Sequence, residues 1–271
     1  MIKYAVMTFM YRGHIDRGDI THEQLVELVA SAGGQGLEAF QRDFINEPEL
    51  LPRYRKAMEA NGVGMPVVDV IVNLVYTSGV ERTARIDELR QGLDICAELG
   101  TEIAHVAGCK MVEGVSADDG RKKIAELLAE CADYAQERDL ILAIENFNPS
   151  PELICKAADC LEIMRLSGDV VKQVFDTGNF LEVDEQADEQ LPLLYDRICH
   201  CHFKDFRLPE GEARYAGAVF GEGLIPNRKV AAELVRRGYD GWVALESYPQ
   251  GGMGPREVIP GELATLKGMF E

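Results

Sequence analysis

The sequence predicts a single-domain α/β protein folded as a closed (β/α)8 TIM barrel, and three observations support that prediction. Amphipathic stretches that suit helices alternate along the chain with short apolar runs that suit strands. The alternation repeats about eight times, and 271 residues is a common size for one such barrel. The first strand does not lead into a Gly-x-Gly-x-x-Gly turn, which would have favoured an open doubly wound sheet.

Eight runs are predicted as strands because they are rich in apolar and β-branched residues and are bounded by glycine or charged residues. Their alternation with helices implies right-handed crossovers and a parallel sheet. The predicted strands cover residues 4–11, 37–40, 65–73, 102–107, 140–147, 170–176, 198–203 and 241–247.

The predicted helices lie between these strands, and several of them end just before a glycine. Glycine suits that position because it adopts the left-handed backbone conformation without strain. No Pro/Ser-rich linker or change of composition divides the chain, so one domain over residues 1–271 is expected. The predicted helices cover residues 21–31, 48–61, 82–99, 116–138, 151–167, 183–195, 226–237 and 261–270.

Composition argues against several classes of protein. The formal net charge is −18, which opposes the basic surface that nucleic-acid-binding proteins usually carry. The seven cysteines form no Cys-x-x-Cys pair and are odd in number, so reduced thiols are expected. The sequence has neither a signal-peptide pattern nor a run of about 20 apolar residues. We therefore expect a soluble cytoplasmic protein with no nucleic-acid or membrane partner.

Four side chains stand at the C-terminal ends of the last four predicted strands. In a (β/α)8 barrel the functional residues lie at this end, and neighbouring strands bring their tips to one arc of the mouth. We therefore expect the four side chains to converge on one point. They are Glu145, Asp176, His202 and Glu246.

Their chemistry predicts a metal site. A single acid after a strand is more often a helix cap or an exposed loop end, but four such residues on successive strands make coincidence a poor explanation. Three neighbouring carboxylates repel one another unless a cation compensates them. Three oxygen ligands and one imidazole suit Mn²⁺ first, then Mg²⁺ or Co²⁺, with Zn²⁺ as a further option.

Five segments in the second half of the chain resemble the xylose isomerase-like TIM-barrel superfamily, and the resemblance extends over roughly the whole chain. That group contains sugar isomerases, ketose 3-epimerases, inosose dehydratases and endonuclease IV. The segments are LAIEN (142–146), FDTGN (175–179), HCHFKD (200–205), GEG (221–223) and ALES (244–247).

The resemblance to the ketose 3-epimerase branch implies roles for the four residues. It implies that all four bind a single metal ion, and that Glu145 and Glu246 also act as the acid/base pair on opposite faces of the substrate. The branch often has histidine where this chain has Asn179, although some sugar-phosphate 3-epimerases are similar to this Asp-x-Gly-Asn version.

Four further residues are predicted to bind substrate: His105, Asn179, Lys204 and Arg207. His105 lies on the fourth strand, where a core histidine is the alternative. Lys204 and Arg207 follow the seventh strand and could hold hydroxyls or a phosphate, with exposed surface charge as the alternative. His200 shares a strand face with His202 and is expected to support it.

The leading functional hypothesis is a metal-dependent sugar or sugar-phosphate epimerase or isomerase that transfers a proton next to a carbonyl. Its small carbohydrate substrate is the expected partner, and the sequence leaves the assembly open between a monomer and a homo-oligomer. The nearest alternative is a dehydratase of a keto-polyol such as an inosose, since the same metal and base would serve it.

Two more distant alternatives come from other classes of protein. An endonuclease IV-like nuclease would need extra histidines, but the second strand ends in Phe40, the third in Asn73, and Asn179 follows the sixth. A non-catalytic sugar-binding subunit would not need the four residues intact.

Overall fold

Eight parallel strands close into a barrel in the computed structural model of the chain, which describes residues 1–209, 211 and 214–271. The first strand pairs with both the second and the eighth, which completes the ring. The predicted (β/α)8 fold is therefore confirmed. The strands are β1 Lys3–Met7, β2 Gly36–Phe40, β3 Gly64–Ile71, β4 Ile103–Ala107, β5 Ile141–Glu145, β6 Lys172–Asp176, β7 Ile198–Phe203 and β8 Trp242–Leu245.

Helices surround the barrel and return the chain from the end of each strand to the start of the next. Three 3₁₀ segments, Thr8–Tyr11, Asn179–Val183 and Tyr195–Arg197, follow or precede strands. The α-helices are Arg12–Asp16, His22–Ser31, Gln41–Asn46, Leu50–Asn61, Gly79–Leu99, Ala117–Glu130, Ala132–Gln136, Pro151–Ile154, Ala157–Leu166, Ala187–Leu194, Asn227–Arg236 and Pro255–Met269.

The helix ends follow from local sequence. Thr21 accepts a hydrogen bond from the backbone of Gln24, and the Gln24 side chain accepts one in return, which satisfies two free N–H groups. Gly62 and Gly100 end their helices at φ values of 65° and 71°, the left-handed conformation that glycine adopts without strain.

The prediction differs from the structure mainly at element ends. The first predicted strand stops at Met7, and the chain continues as a 3₁₀ turn in which the Thr8 hydroxyl donates to the carbonyl of Glu38. The last helix begins at Pro255, six residues earlier than predicted, because proline at the first helical position needs no hydrogen-bond partner for its nitrogen. Outside the barrel, Phe206–Arg207 pairs antiparallel with Ala216–Gly217.

Strand register decides which side chains meet inside the barrel. Asp176 pairs with His202 across β6 and β7, and Asp69 pairs with His105 across β3 and β4. Apolar residues occupy parts of the barrel interior, but a buried polar group lies among them. Its members, all exposed by 2% or less, are Glu38, Asp69, His105, His200 and His202.

Most of the apolar core lies between the barrel wall and the helices. All seven cysteines are free, and six are buried. Within the described residues, no helix is both long enough and apolar enough to cross a membrane.

Candidate active site and metal centre

A cavity of about 380 Å³ opens at the C-terminal ends of the strands. Phe9 and Phe40 stack at its wall with ring centroids 4.6 Å apart. The cavity therefore combines an apolar wall with a polar floor. Six of the residues predicted from sequence line it: His105, Glu145, Asn179, His202, Lys204 and Glu246.

Three of the four predicted metal ligands form one compact group. Glu145, Asp176 and His202 each offer a ligand atom, and these atoms all lie within 4.8 Å of one another. His202 Nδ1 lies 2.8 Å from Glu145 Oε1 and 3.7 Å from Asp176 Oδ2. The donor set of two carboxylates and one imidazole fits a divalent metal ion.

Backbone N–H groups hold Asp176 in place. Its Oδ1 atom accepts hydrogen bonds of 2.8 Å from the N–H groups of Gly178 and Asn179. Its Oδ2 atom is directed toward Lys204 and His202. The FDTGN segment thus fixes one oxygen of Asp176 and leaves the other available to a cation.

The fourth predicted ligand, Glu246, joins this group through Lys204. The Lys204 ammonium lies 2.8 Å from Glu246 Oε2 and 2.9 Å from Asp176 Oδ2. The other Glu246 oxygen accepts a 2.9 Å hydrogen bond from the hydroxyl of Tyr248. Lys204 therefore places one positive charge between two of these carboxylates, at the place where the sequence predicted a metal.

Burial and charge change the acidity of these groups. Burial by itself would raise the pKa of Asp176, but Lys204 and His202 together lower that pKa to about 2. For Glu246, burial dominates and raises the pKa of the carboxyl, although Lys204 opposes the rise. A glutamate whose pKa is raised is better suited to giving as well as taking a proton.

The other predicted substrate ligands are placed differently. Asn179 is buried at the cavity, and neither its amide oxygen nor its amide nitrogen has a hydrogen-bond partner within the described residues. His105 lines the cavity, with Nδ1 held 2.5 Å from Asp69 Oδ1. Arg207 is exposed on the short strand outside the barrel and is not among the described residues that line the cavity.

Sequence reasoning missed two buried carboxylates inside the barrel. Glu38 on β2 contacts His202 Nε2 and His200 Nε2, each at 2.9 Å. Asp69 on β3 contacts His105. A signal was present, because each acid interrupts an apolar strand, and a carboxylate in that setting is rarely buried unless it is paired.

Comparison with known proteins shows which family the chain belongs to. A family model described as "Xylose isomerase-like TIM barrel" matches residues 26–269. The chain is 24% identical over 261 residues to an inosose dehydratase of Serratia proteamaculans (strain 568), covering 84% of this chain and 82% of that one. It is 26% identical over 127 residues to a fructoselysine 3-epimerase of Escherichia coli O157:H7, covering 46% and 44%.

A solved structure shares the whole fold. The IOLI protein, whose crystal structure carries a zinc atom, has a TM-score of 0.83 and 16% identity, covering 99% of this chain and 98% of that chain. The relatives named here are enzymes that act by epimerisation or dehydration. The match over residues 26–269 shows that this chain belongs to the xylose isomerase-like TIM barrel family.

Proposed function

We propose that the protein is a divalent-metal-dependent enzyme that moves a proton at a carbon next to a carbonyl, and that it is an epimerase or isomerase of a sugar or sugar phosphate. The observation that carries this proposal is the position of two glutamates. Glu145 ends β5 and Glu246 follows β8, so the two stand at opposite ends of the arc that contains Asp176 and His202.

The reaction needs one group to remove a proton and another to return one. The carboxylate of one glutamate takes the proton from carbon, and the carboxylic acid of the other returns a proton to the opposite face. Tyr248 and Lys204 hold the two oxygens of Glu246 and so fix its orientation. The amide of Asn179, which has no partner among the described residues, offers a donor and an acceptor for substrate hydroxyls.

The donor set supports a divalent metal held by Glu145, Asp176, His202 and Glu246, with Mn²⁺ expected first. The chemistry that such a metal supplies is polarisation of the carbonyl and the neighbouring hydroxyl. The zinc atom in the IOLI structure is a further reason to expect a divalent ion at this kind of site.

A dehydratase is the second candidate, and the similarity to inosose dehydratase over most of the chain favours it. Dehydration begins with the same proton removal and continues when a neighbouring hydroxyl leaves as water. Lys204 and Tyr248 lie beside Glu246 and are the groups placed to give that hydroxyl a proton.

The two candidates give products of different mass. Purified protein loaded with Mn²⁺ is incubated with ketoses, ketose phosphates and inososes, and the products are analysed by mass spectrometry and NMR. An epimer keeps the mass of its substrate and changes one stereocentre, whereas dehydration yields a product lighter by one water. Conversion of none of these compounds by metal-loaded protein would contradict both candidates.

We also propose a cytoplasmic enzyme that works as a homo-oligomer and has neither a nucleic-acid nor a membrane partner. The net charge of −18 supports the absence of a nucleic-acid partner, because phosphate backbones bind basic surfaces.

A further inference from the structure

Glu38 connects two histidines inside the barrel. It is wholly buried on β2, and each of its two oxygens contacts a ring nitrogen from β7. Oε1 lies 2.9 Å from His202 Nε2, and Oε2 lies 2.9 Å from His200 Nε2. A carboxylate in so deep a position persists only when it is fully paired.

The two ring nitrogens of His202 face different carboxylates. Nδ1 faces Glu145 at 2.8 Å and Asp176 at 3.7 Å, on the side of the cavity. Nε2 faces Glu38, on the side of the barrel interior. Only Nδ1 is therefore placed to join Glu145 and Asp176 around one ion.

From this geometry we propose that Glu38 is a positioning residue for the metal ligand His202. It accepts the Nε2–H hydrogen of His202, which leaves the Nδ1 lone pair directed at the ion shared with Glu145 and Asp176. A histidine that binds a metal commonly donates its other N–H to a carboxylate, which fixes both the tautomer and the ring orientation. The inference rests on the metal-dependent function proposed above.

His200 supports Glu38 through the carboxylate oxygen that does not contact His202. Its Nδ1 atom donates to the carbonyl of Trp242 at 3.1 Å, and its Nε2 contacts the second oxygen of Glu38. Glu38 thus contacts both rings, and the rings meet edge to face with centroids 5.0 Å apart. Rotation of His202 would break its contacts with both Glu38 and Glu145.

A second group of potential ligands, Glu38, His105 and His202, shares His202 with the first group. The structure favours a supporting role for it rather than a second metal site. Both oxygens of Glu38 already contact histidine nitrogens, and His105 Nδ1 is held by Asp69. An ion bound to Glu38 in this group would have to displace one of its histidine contacts.

The experiment compares wild type with Glu38→Gln, and uses Asp69→Asn as a control that also replaces one buried carboxyl group with an amide. Co²⁺ is titrated into each metal-free protein in competition with a chelator, and circular dichroism verifies the fold. We expect Glu38→Gln to weaken Co²⁺ affinity by about 10- to 100-fold, the range for loss of such a partner. Asp69→Asn should stay close to wild type because Asp69 contacts His105 instead.

A second measurement needs no variant, so it can be made even if Glu38→Gln fails to fold. It determines which ring nitrogen of His202 binds the metal and which carries the hydrogen. In zinc-loaded wild type labelled with ¹⁵N, long-range ¹H–¹⁵N correlation of the His202 ring should show zinc on Nδ1 and hydrogen on Nε2. Zinc on Nε2, or equal loss of Co²⁺ affinity in the two variants, would overturn the positioning role of Glu38 while leaving the metal-dependent function intact. Wild type that binds no metal at all would overturn both.

Discussion

The ammonium of Lys204 lies 2.8 Å from Glu246 Oε2, and both side chains are buried at the mouth of the barrel. The same ammonium lies 2.9 Å from Asp176. Burying carboxylates without a compensating charge is strongly unfavourable, so Lys204 supplies the positive charge that a metal ion would otherwise bring. Lys204 thus partly balances the charge of these buried carboxylates before metal binds.

The first prediction concerns this balance. Lys204→Met should lower the free energy of unfolding of the metal-free protein by about 3–5 kcal/mol, the cost of leaving a buried charge without its partner. Saturating Mn²⁺ should recover part of that loss, because the ion pairs with the same carboxylates. Guanidinium unfolding in chelator and in Mn²⁺ measures both values.

Lys110→Met is the control for Lys204→Met. Lys110 is exposed at the same cavity and has no ion-pair partner within the described residues, so its replacement should change stability little. An equal response of the two variants to Mn²⁺ would contradict the proposed balance.

The second prediction tests the ligand set directly. His202→Ala should lose most of the bound metal while the barrel stays folded, since one of the ligands in the compact group is gone. Elemental analysis after Mn²⁺ or Co²⁺ loading measures metal per chain. His14→Ala, on the short helix outside the barrel, should bind as wild type does. If wild type retains no metal after loading, the assignment of this group as a metal site is wrong.

The strand ends were predictable because the information is local. Each apolar run that ends in an acid is visible in a few residues, and alternation with helices fixes the parallel order of the strands. That order alone places Glu145, Asp176, His202 and Glu246 on one arc. The arc is therefore a consequence of topology rather than of side-chain detail.

The role of Glu38 could not be read in the same way. Its partner His200 lies 162 residues away, and only closure of the barrel brings the two together. The ion pairs of Lys204 were also missed, since the sequence suggested a substrate ligand. Which carboxylate a lysine contacts depends on the rotamers of a folded interior, and strand periodicity does not contain that information.

The third prediction is a pH dependence of stability that involves His22. Burial lowers the pKa of His22, and Nδ1 lies 3.0 Å from the Tyr54 hydroxyl, a contact that suits a neutral ring. Because the folded pKa lies below the unfolded value of about 6.5, the unfolded chain binds the proton first. The contribution of His22 is thus present above that value and is lost as the pH falls through the folded pKa.

Chemical unfolding on the two sides of this range measures the effect. Between about pH 7.5 and pH 5.5, wild type should lose more stability than His22→Gln, which does not titrate in this range. An equal loss in both proteins would show that His22 does not contribute to the pH dependence.

The fourth prediction concerns an anionic group on the substrate. Arg42 and Lys110 line the cavity, and neither has an ion-pair partner within the described residues, whereas Arg207 lies outside the cavity. If the substrate is phosphorylated, Arg42→Gln should raise KM for it more than for the neutral sugar, with a smaller effect on kcat. Arg207→Gln is the matched control. If Arg207→Gln raises KM more than Arg42→Gln does, Arg207 rather than Arg42 binds the substrate, as the sequence predicted.

The last prediction concerns the proton itself. Glu246→Gln keeps an oxygen that can accept from Tyr248 or Lys204, but it removes the basicity of the carboxylate. Loss of one acid/base group should lower kcat by about 10²- to 10⁴-fold. Metal content is measured alongside, because Glu246 is also a proposed ligand, and retained metal with lost activity separates the two roles.

Isotope exchange then tests the proton-transfer mechanism. In deuterated water an epimerase with two glutamate bases places solvent deuterium at the inverted carbon, since the proton removed by one carboxyl is not the one returned by the other. A hydride shift between neighbouring carbons would instead retain the original hydrogen. Epimerised product without deuterium would therefore exclude proton transfer by Glu145 and Glu246, while the metal content of the same protein would still report independently on the ligand set.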